Sequence, residues 1–528
     1  MPRSKRLVRA LVVAAALALL LALFTVRQVL YYSADPVAEK DCAPITPAQE
    51  DPAKPTRIDL GTVTTVPFAQ KGGTINDASC LNRTPVYGVV EVTSVETLRE
   101  ALSFARRNGL KVSVAGAKHS MGGHAFAANA LVLDMRTFNR IVLDKGKQIV
   151  TVQSGATWHD VQNALHPAFA LKAMQSTDIF TVGGSISVNA HGMDHRTGSV
   201  GRTVTAMRVM LADGSIHTIS RSEEPDLFGL IVGGYGLFGV IIDADIEVTE
   251  NRIYQSERRI LDYRSFPSTF NEILSDDRYA LLYGHLSTAP QSFLREMILY
   301  TYKEAEVPGA TIPPLGEMTS VRLRRLVFNL SKHGPLAMRL KWWMEKYVEP
   351  RLENCPVSRN QALGEGEACL VPRNEPMHDS VKYLKNDLKD ETDILHEYFV
   401  PRDQFVPFVD GLRRISLAND AVLLNASVRI VHREDNFLTY APTDMYAIVL
   451  YLNQRTDSKG AMKMETLTRQ LVDLTVMLGG RFFLPYQLQY TPEQLQQSYP
   501  EIGAFFSAKK RYDPDGLFTN TFYRKYAL

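Results

Sequence analysis

Val112-Ser113-Val114-Ala115-Gly116-Ala117-Lys118-His119-Ser120-Met121-Gly122-Gly123-His124 is the stretch on which the reading of the chain turns. A short apolar run with β-branched residues, suited to a half-buried strand, passes into a loop of small residues that carries a histidine. Glycine there admits unusual backbone angles and lets a ligand approach the main chain closely. About 70 residues on, Thr181-Val182-Gly183-Gly184-Ser185-Ile186-Ser187-Val188-Asn189-Ala190-His191-Gly192 follows the same plan. Its backbone N–H groups and short polar side chains can hold a pyrophosphate without Lys or Arg. Either stretch alone reads equally well as a tight structural turn. Together they predict loops that close on two sides of one phosphorylated cofactor.

Other motifs fail on context. Gly234-Tyr235-Gly236-Leu237-Phe238-Gly239 fits a dinucleotide GxGxxG string, but that fingerprint must open a helix. Here the apolar run Val240–Ile246 follows and reads as a strand. His191 and His195 are four apart, a ligand spacing on a helix, yet Gly192 and Gly198 make a helix poor there. No metal site is expected. No Gly-x-Ser-x-Gly elbow and no Lys-bearing phosphate loop occurs.

A chain of 528 residues implies two or three domains. With 59 Lys+Arg against 57 Asp+Glu there is no bulk charge to recruit nucleic acid. Local basic clusters, Arg322-Leu323-Arg324-Arg325 and Arg339-Leu340-Lys341, read either as solvated faces or as a phospholipid-facing patch. At the N-terminus, Arg3, Lys5, Arg6 and Arg9 precede an uninterrupted apolar run from Ala10 to Phe24. No small-x-small cleavage site follows at the expected distance. The reading is a single-pass anchor over 7–32, with a cytoplasmic N-terminus and an exported catalytic body; a cleaved signal is the alternative. Four cysteines suit an exported body. Cys355 with Cys369, and Cys42 with Cys80, are the disulfides considered.

Residues 33–76 look like a linker or irregular arm. Beyond them short elements alternate: a strand over Val86–Val92, and a helix to about Asn108 with Ser94 as N-cap and Gly109 as stop. Asp213-Gly214 marks a hairpin turn. From about 254 to 485 the strands lengthen and become aromatic. This is an α+β pattern.

As an ordered set, Gly116–Gly123, Leu131–Met135, Val152–Trp158, Thr181–Gly192, Gly233–Ile241 and Lys510–Asn520 resemble the vanillyl-alcohol oxidase / p-cresol methylhydroxylase (PCMH) type of FAD-binding oxidoreductase. The flavour is closest to the branch holding sugar-lactone oxidases, alditol oxidase and decaprenylphosphoryl-ribose oxidase. The resemblance implies a two-part FAD-binding domain, 77–249 completed by 490–528, and an antiparallel-sheet substrate domain over 250–489. It implies FAD contacts from Ala115, Gly116, Ala117, Lys118, His119, Ser120, Gly122, Thr181, Gly183, Gly184, Ser187, Asn189, His191, Gly192, Gly239, Ile241 and Asn520. His119 matches the histidine that many members link covalently to flavin; lining the pyrophosphate loop is its other reading. On the substrate side, Tyr486 stands where relatives place a lysine, and Glu397 and Arg429 are the further catalytic candidates. Tyr486 would hold a substrate hydroxyl, or deprotonate it if its pKa were lowered. The expected reaction oxidises a hydroxyl-bearing carbon of a sugar, polyol, lactone or hydroxy acid, free or lipid-linked, with oxygen, a quinone or another carrier as acceptor. Reduction of a C=C bond and a catalytically inactive flavoprotein are the alternatives.

Overall fold

The computed structural model describes residues 2–33, 66–307, 311–316, 321–348, 369–378, 388 and 390–527. Most of the expected linker, 34–65, therefore lies outside the described residues.

The strand Gly88–Glu91 runs into the helix Val95–Arg107. The Ser94 hydroxyl accepts the Thr97 N–H at 3.1 Å, satisfying one of the orphan donors of the first turn. Gly109 then turns the chain with φ +63°, and Val112–Ala115 returns beside Leu131–Asp134. The sheet order is Phe68–Lys71, Gly88–Glu91, Leu131–Asp134, Val112–Ala115, the last three mutually parallel. Parallel strands deliver their carboxyl ends to one edge, where α/β sheets bind ligands; the 116–124 loop leaves from that edge. The C-terminal tail extends this sheet. Val112 N–H donates to Leu517 O at 2.7 Å and Thr519 N–H to Val112 O at 2.8 Å.

A second sheet is ordered Ile216–Ser220, Val204–Met210, Val240–Glu250, Ile149–Gln153, Ile141–Asp144. Its first two strands form the hairpin turned at Gly214 (φ +89°). The chain after Gly234-x-Gly236-x-x-Gly239 is the strand Val240–Glu250, so no dinucleotide helix opens there. The second glycine loop differs from expectation: Val182–Ser187 is a short helix starting at Thr181. Thr181 pairs with Thr157 in a β-bridge, and this tertiary fixing overrides the poor helix propensity of Gly183-Gly184.

The remaining sheet has eight antiparallel strands, ordered Cys369–Pro372, Ile253–Asp262, Glu296–Glu304, Tyr279–Leu286, Val422–Val431, Met445–Arg455, Glu391–Pro401, Arg481–Phe482. The helices Phe405–Ala418 and Ser458–Met477 pack on it. The fold is thus a two-sheet α/β half, closed by the C-terminal tail, joined to an antiparallel-sheet half.

No disulfide joins any two of the described residues. Cys42 and Cys355, the expected partners, lie outside them, and Cys80 and Cys369 lie within them, neither as a free thiol. The N-terminal helix Pro2–Ser33 contains a stretch, Ala15–Ser33, long and apolar enough to cross a membrane, and none of it is buried.

Candidate active site

The first loop and the short helix touch directly. A Cβ built on Gly116 would lie 2.0 Å from the Thr181 hydroxyl oxygen, and one on Gly183 would lie 2.6 Å from Ser154 Cβ. Only glycine lets these backbones close on one another. Between them opens a cavity of about 470 Å³ lined by Gly116, Ala117, Lys118, His119, Ser120, Thr181, Gly183, Gly184, Ser187, His191, Gly239 and Ile241. The ring of Phe180 meets the His119 ring edge-on at 5.0 Å.

Five of the residues proposed from sequence stand outside this lining. Ala115 ends its strand, buried. Gly122 abuts Tyr486 O, and Gly192 the carbonyl of Met174. Asn189 uses Oδ1 to accept Gly201 N–H at 3.0 Å. Asn520 caps the last helix and donates to Tyr235 O at 2.9 Å. All five hold neighbouring backbone in place.

The cavity floor is the eight-stranded sheet. Side chains alternate across a strand, so Asp393, Leu395 and Glu397 share one face, as do Asn425, Ser427 and Arg429, and Val449 and Tyr451; all of them line the cavity. Register puts His285, Ser427, Val449 and Glu397 in one row over four strands. Tyr283 stacks on Tyr300 at 4.6 Å beside that row.

Glu397 is the focus. Its carboxylate shares a 2.5 Å hydrogen bond with His191 Nε2 and accepts the Tyr486 hydroxyl at 3.4 Å. Both members of the His191–Glu397 pair are buried. Burial pushes the Tyr486 phenol well above its ordinary 10, and Glu397 reinforces that shift. Tyr486 therefore stays protonated at neutral pH, and the lowered pKa that deprotonating a substrate hydroxyl would require is not met. Desolvation lowers the Arg429 pKa while the charge of Glu397 opposes it. Arg429 also donates to Ser176 Oγ, so a loop of the first half and the sheet meet across the cavity.

Sequence reasoning missed His285, Tyr283, Tyr300, Asp393, Tyr451 and Ser176. A signal existed: polar residues at every second position in otherwise buried strands. It also missed a cluster of His159, Asp178 and His378, whose ligand-type atoms lie within 4.8 Å of one another. His159 Nδ1 is 2.8 Å and His378 Nδ1 3.2 Å from Asp178 Oδ2. The histidines considered for a metal separate instead: His191 bonds Glu397, while His195 Nε2 bonds Tyr279 O at 2.9 Å.

Comparison with known proteins accounts for both halves. Residues 86–220 match the FAD binding domain model, and 340–526 match the D-arabinono-1,4-lactone oxidase model. The chain is 23% identical to decaprenylphosphoryl-beta-D-ribose oxidase of Mycolicibacterium smegmatis, covering 84% of this chain and 95% of that protein. It is 23% identical to L-gulonolactone oxidase of Mus musculus, over 82% of this chain and 93% of that one. With cytokinin dehydrogenase 2 of Arabidopsis thaliana it shares 29% identity over 30% of this chain and 32% of that one. The chain is a PCMH-type FAD-binding oxidoreductase related to the sugar and lactone oxidases.

This flavoenzyme's residues fit the cofactor. Gly116 lies against Thr181 and Gly183 against Ser154 too closely for any Cβ, so the cavity walls on that side close without side chains of their own. Ser154 Oγ and His191 Nδ1, both buried on the cavity wall, have no hydrogen-bond partner among the described residues. Buried polar atoms of that kind are costly unless a ligand satisfies them. The flavoenzyme carries out FAD-dependent oxidation of a hydroxyl-bearing carbon, and polar groups of the sheet line the side of the cavity away from the glycine loops.

Proposed function

We propose that the chain oxidises a carbinol carbon of a sugar, polyol or sugar lactone, with Glu397 and His191 taking the hydroxyl proton. The observation that carries this reading is the buried His191–Glu397 pair, joined by Tyr486 and Arg429, on the wall of the cavity that the glycine loops enter. FAD, when bound, supplies the hydride acceptor. The Glu397 carboxylate accepts the proton of the substrate hydroxyl and shares it along the bond to His191 Nε2. Tyr486 stays protonated and donates to the substrate or to Glu397. Arg429 fixes a substrate oxygen and stabilises the anionic form of Glu397. The sheet excludes water around them, which strengthens each of these interactions. The polar groups gathered there count against a scaffold without catalysis.

Two further parts belong to the proposal. His119, on the cavity wall, holds FAD covalently, preventing cofactor loss outside the cell. The helix Pro2–Ser33 anchors the body to a membrane, which suits a membrane-proximal electron acceptor and a lipid-linked substrate.

Anaerobic mixing of the purified protein with sugars, polyols and lactones tests the reaction. Bleaching of the flavin's visible absorption by one of these classes is expected. Bleaching by NADPH alone, with none by any alcohol, overturns it in favour of the reductase. Acid precipitation tests the linkage: yellow colour stays in the wild-type pellet and leaves it in His119→Ala.

A further inference from the structure

The basic clusters at 322–325 and 339–341 fall on two consecutive helices, Val321–Ser331 and Pro335–Tyr347. On the second, Leu336, Leu340, Trp343 and Tyr347 are 79%, 50%, 52% and 46% exposed. Their spacing places them on one face of that helix. On the first, Leu323 and Leu330 are also exposed, at 50% and 38%. A contiguous apolar stripe is uncommon on a soluble surface and marks a place where something else covers it. Charge identifies the cover. Of the seven Lys or Arg in residues 321–348, Arg325, Lys332 and Lys341 are buried, Lys346 pairs with Glu296 and Arg324 lines the cavity, so the outward charge is that of Arg322 and Arg339, with Glu345 the single acid. Lys341 neutralises that acid at 2.7 Å, and Arg322 and Arg339 are exposed beside the stripe. The pair of helices also adjoins the apolar N-terminal helix: Asn329 Nδ2 donates to Tyr32 O at 2.9 Å, and the Tyr32 and His333 rings lie 5.5 Å apart.

We propose that this helical hairpin is a second membrane-contacting element, lying in the surface of an anionic phospholipid bilayer beside the N-terminal helix. Apolar side chains enter the headgroup–acyl boundary while flanking cations meet phosphates, the arrangement of an interfacial helix. The inner side of the same helices presents Arg324 and Glu345 to the cavity. Bilayer and cavity thus lie on opposite sides of one helical layer. The inference extends the proposed anchor and has its own readout.

The chain has three tryptophans, of which Trp158 and Trp342 are 0% and 1% exposed, leaving Trp343 as the reporter. Full-length protein is reconstituted into vesicles of phosphatidylcholine and phosphatidylglycerol, with or without acyl-chain-brominated phosphatidylcholine. The expected result is loss, in the brominated vesicles, of the emission component that Trp343→Phe removes. In a Leu336→Glu/Leu340→Glu variant that still floats with vesicles and retains flavin, that component returns. Equal emission with and without bromine, in protein that floats, overturns the hairpin reading and leaves the anchor standing. Quenching that persists in the double variant overturns the role of the stripe. Protein that does not float sinks the anchor and the hairpin together.

Discussion

The FAD-binding half and the sheet half meet at one cavity but are built on opposite principles. The first is made of backbone. Gly116, Gly183 and Gly192 sit where a Cβ would strike a neighbour at 2.0, 2.6 and 1.8 Å. The second is made of side chains: Glu397, Arg429, Asp393 and Ser427, aimed by strand register. A backbone site fails by steric intrusion and loses the cofactor; a side-chain site fails by loss of one functional group and loses the reaction. The two failures separate experimentally.

The largest expected effect is on chemistry. Glu397→Gln should lower kcat by roughly 10²–10⁴-fold, the usual contribution of a positioned proton acceptor, with flavin content unchanged. Loss of flavin in that variant would break the division of labour. Next is the Lys332–Asp393 pair, 2.5 Å apart with both side chains 1% exposed. Asp393→Ala removes the carboxylate from a buried ammonium and should destabilise the protein by about 3–5 kcal/mol, read from denaturant unfolding. In the backbone half, Gly192→Ala drives a Cβ into the Met174 carbonyl, and the 175–180 loop must move to relieve it. A loss of about 3 kcal/mol is expected, with reduced flavin occupancy in the purified protein. Full occupancy and unchanged stability would show that this loop yields more easily than the close approach implies.

The smallest effect is a pH dependence. Burial pushes His396 down to about 4 and His124 down to about 3 from 6.5. Between those values the unfolded chain binds more protons than the native protein. The stability these residues contribute is present above pH 6.5 and is lost as pH falls through the folded values. For His396 alone the loss between pH 7 and pH 5 is on the order of 2 kcal/mol. Unfolding curves at the two pH values should show it, and His396→Gln should make the drop shallower. A drop of the same size in the variant would remove His396 from the account.

The legibility of the chain divides along the same line. Ser94 as a cap, Asp213-Gly214 as a hairpin turn and the glycine loop at 116 could be read directly. Each is a local conformational demand that only certain residues meet. The helix Val182–Ser187 could not, because paired glycines argue against helix until a bridge to Thr157 fixes its start. Glu397 and His191 were each named as candidates, but their 2.5 Å contact spans 206 positions of sequence. For Tyr486 the residue type allowed either holding or deprotonating a hydroxyl, and only its burial beside Glu397, which raises its pKa, separates the two.

The sequence by itself pointed to a phosphorylated cofactor, because glycine spacing specifies how closely a backbone may be approached, and the resemblance carried by its ordered motifs implied FAD. It also specified an apolar N-terminal segment long enough to cross a bilayer. Only the tertiary structure decided which polar side chains line the cavity. That choice depends on the register of four strands, on burial that removes water from Glu397, Tyr486 and Arg429, and on contacts between residues hundreds of positions apart. Side-chain chemistry is written in the sequence; the environment that tunes it exists only once the chain has closed on itself.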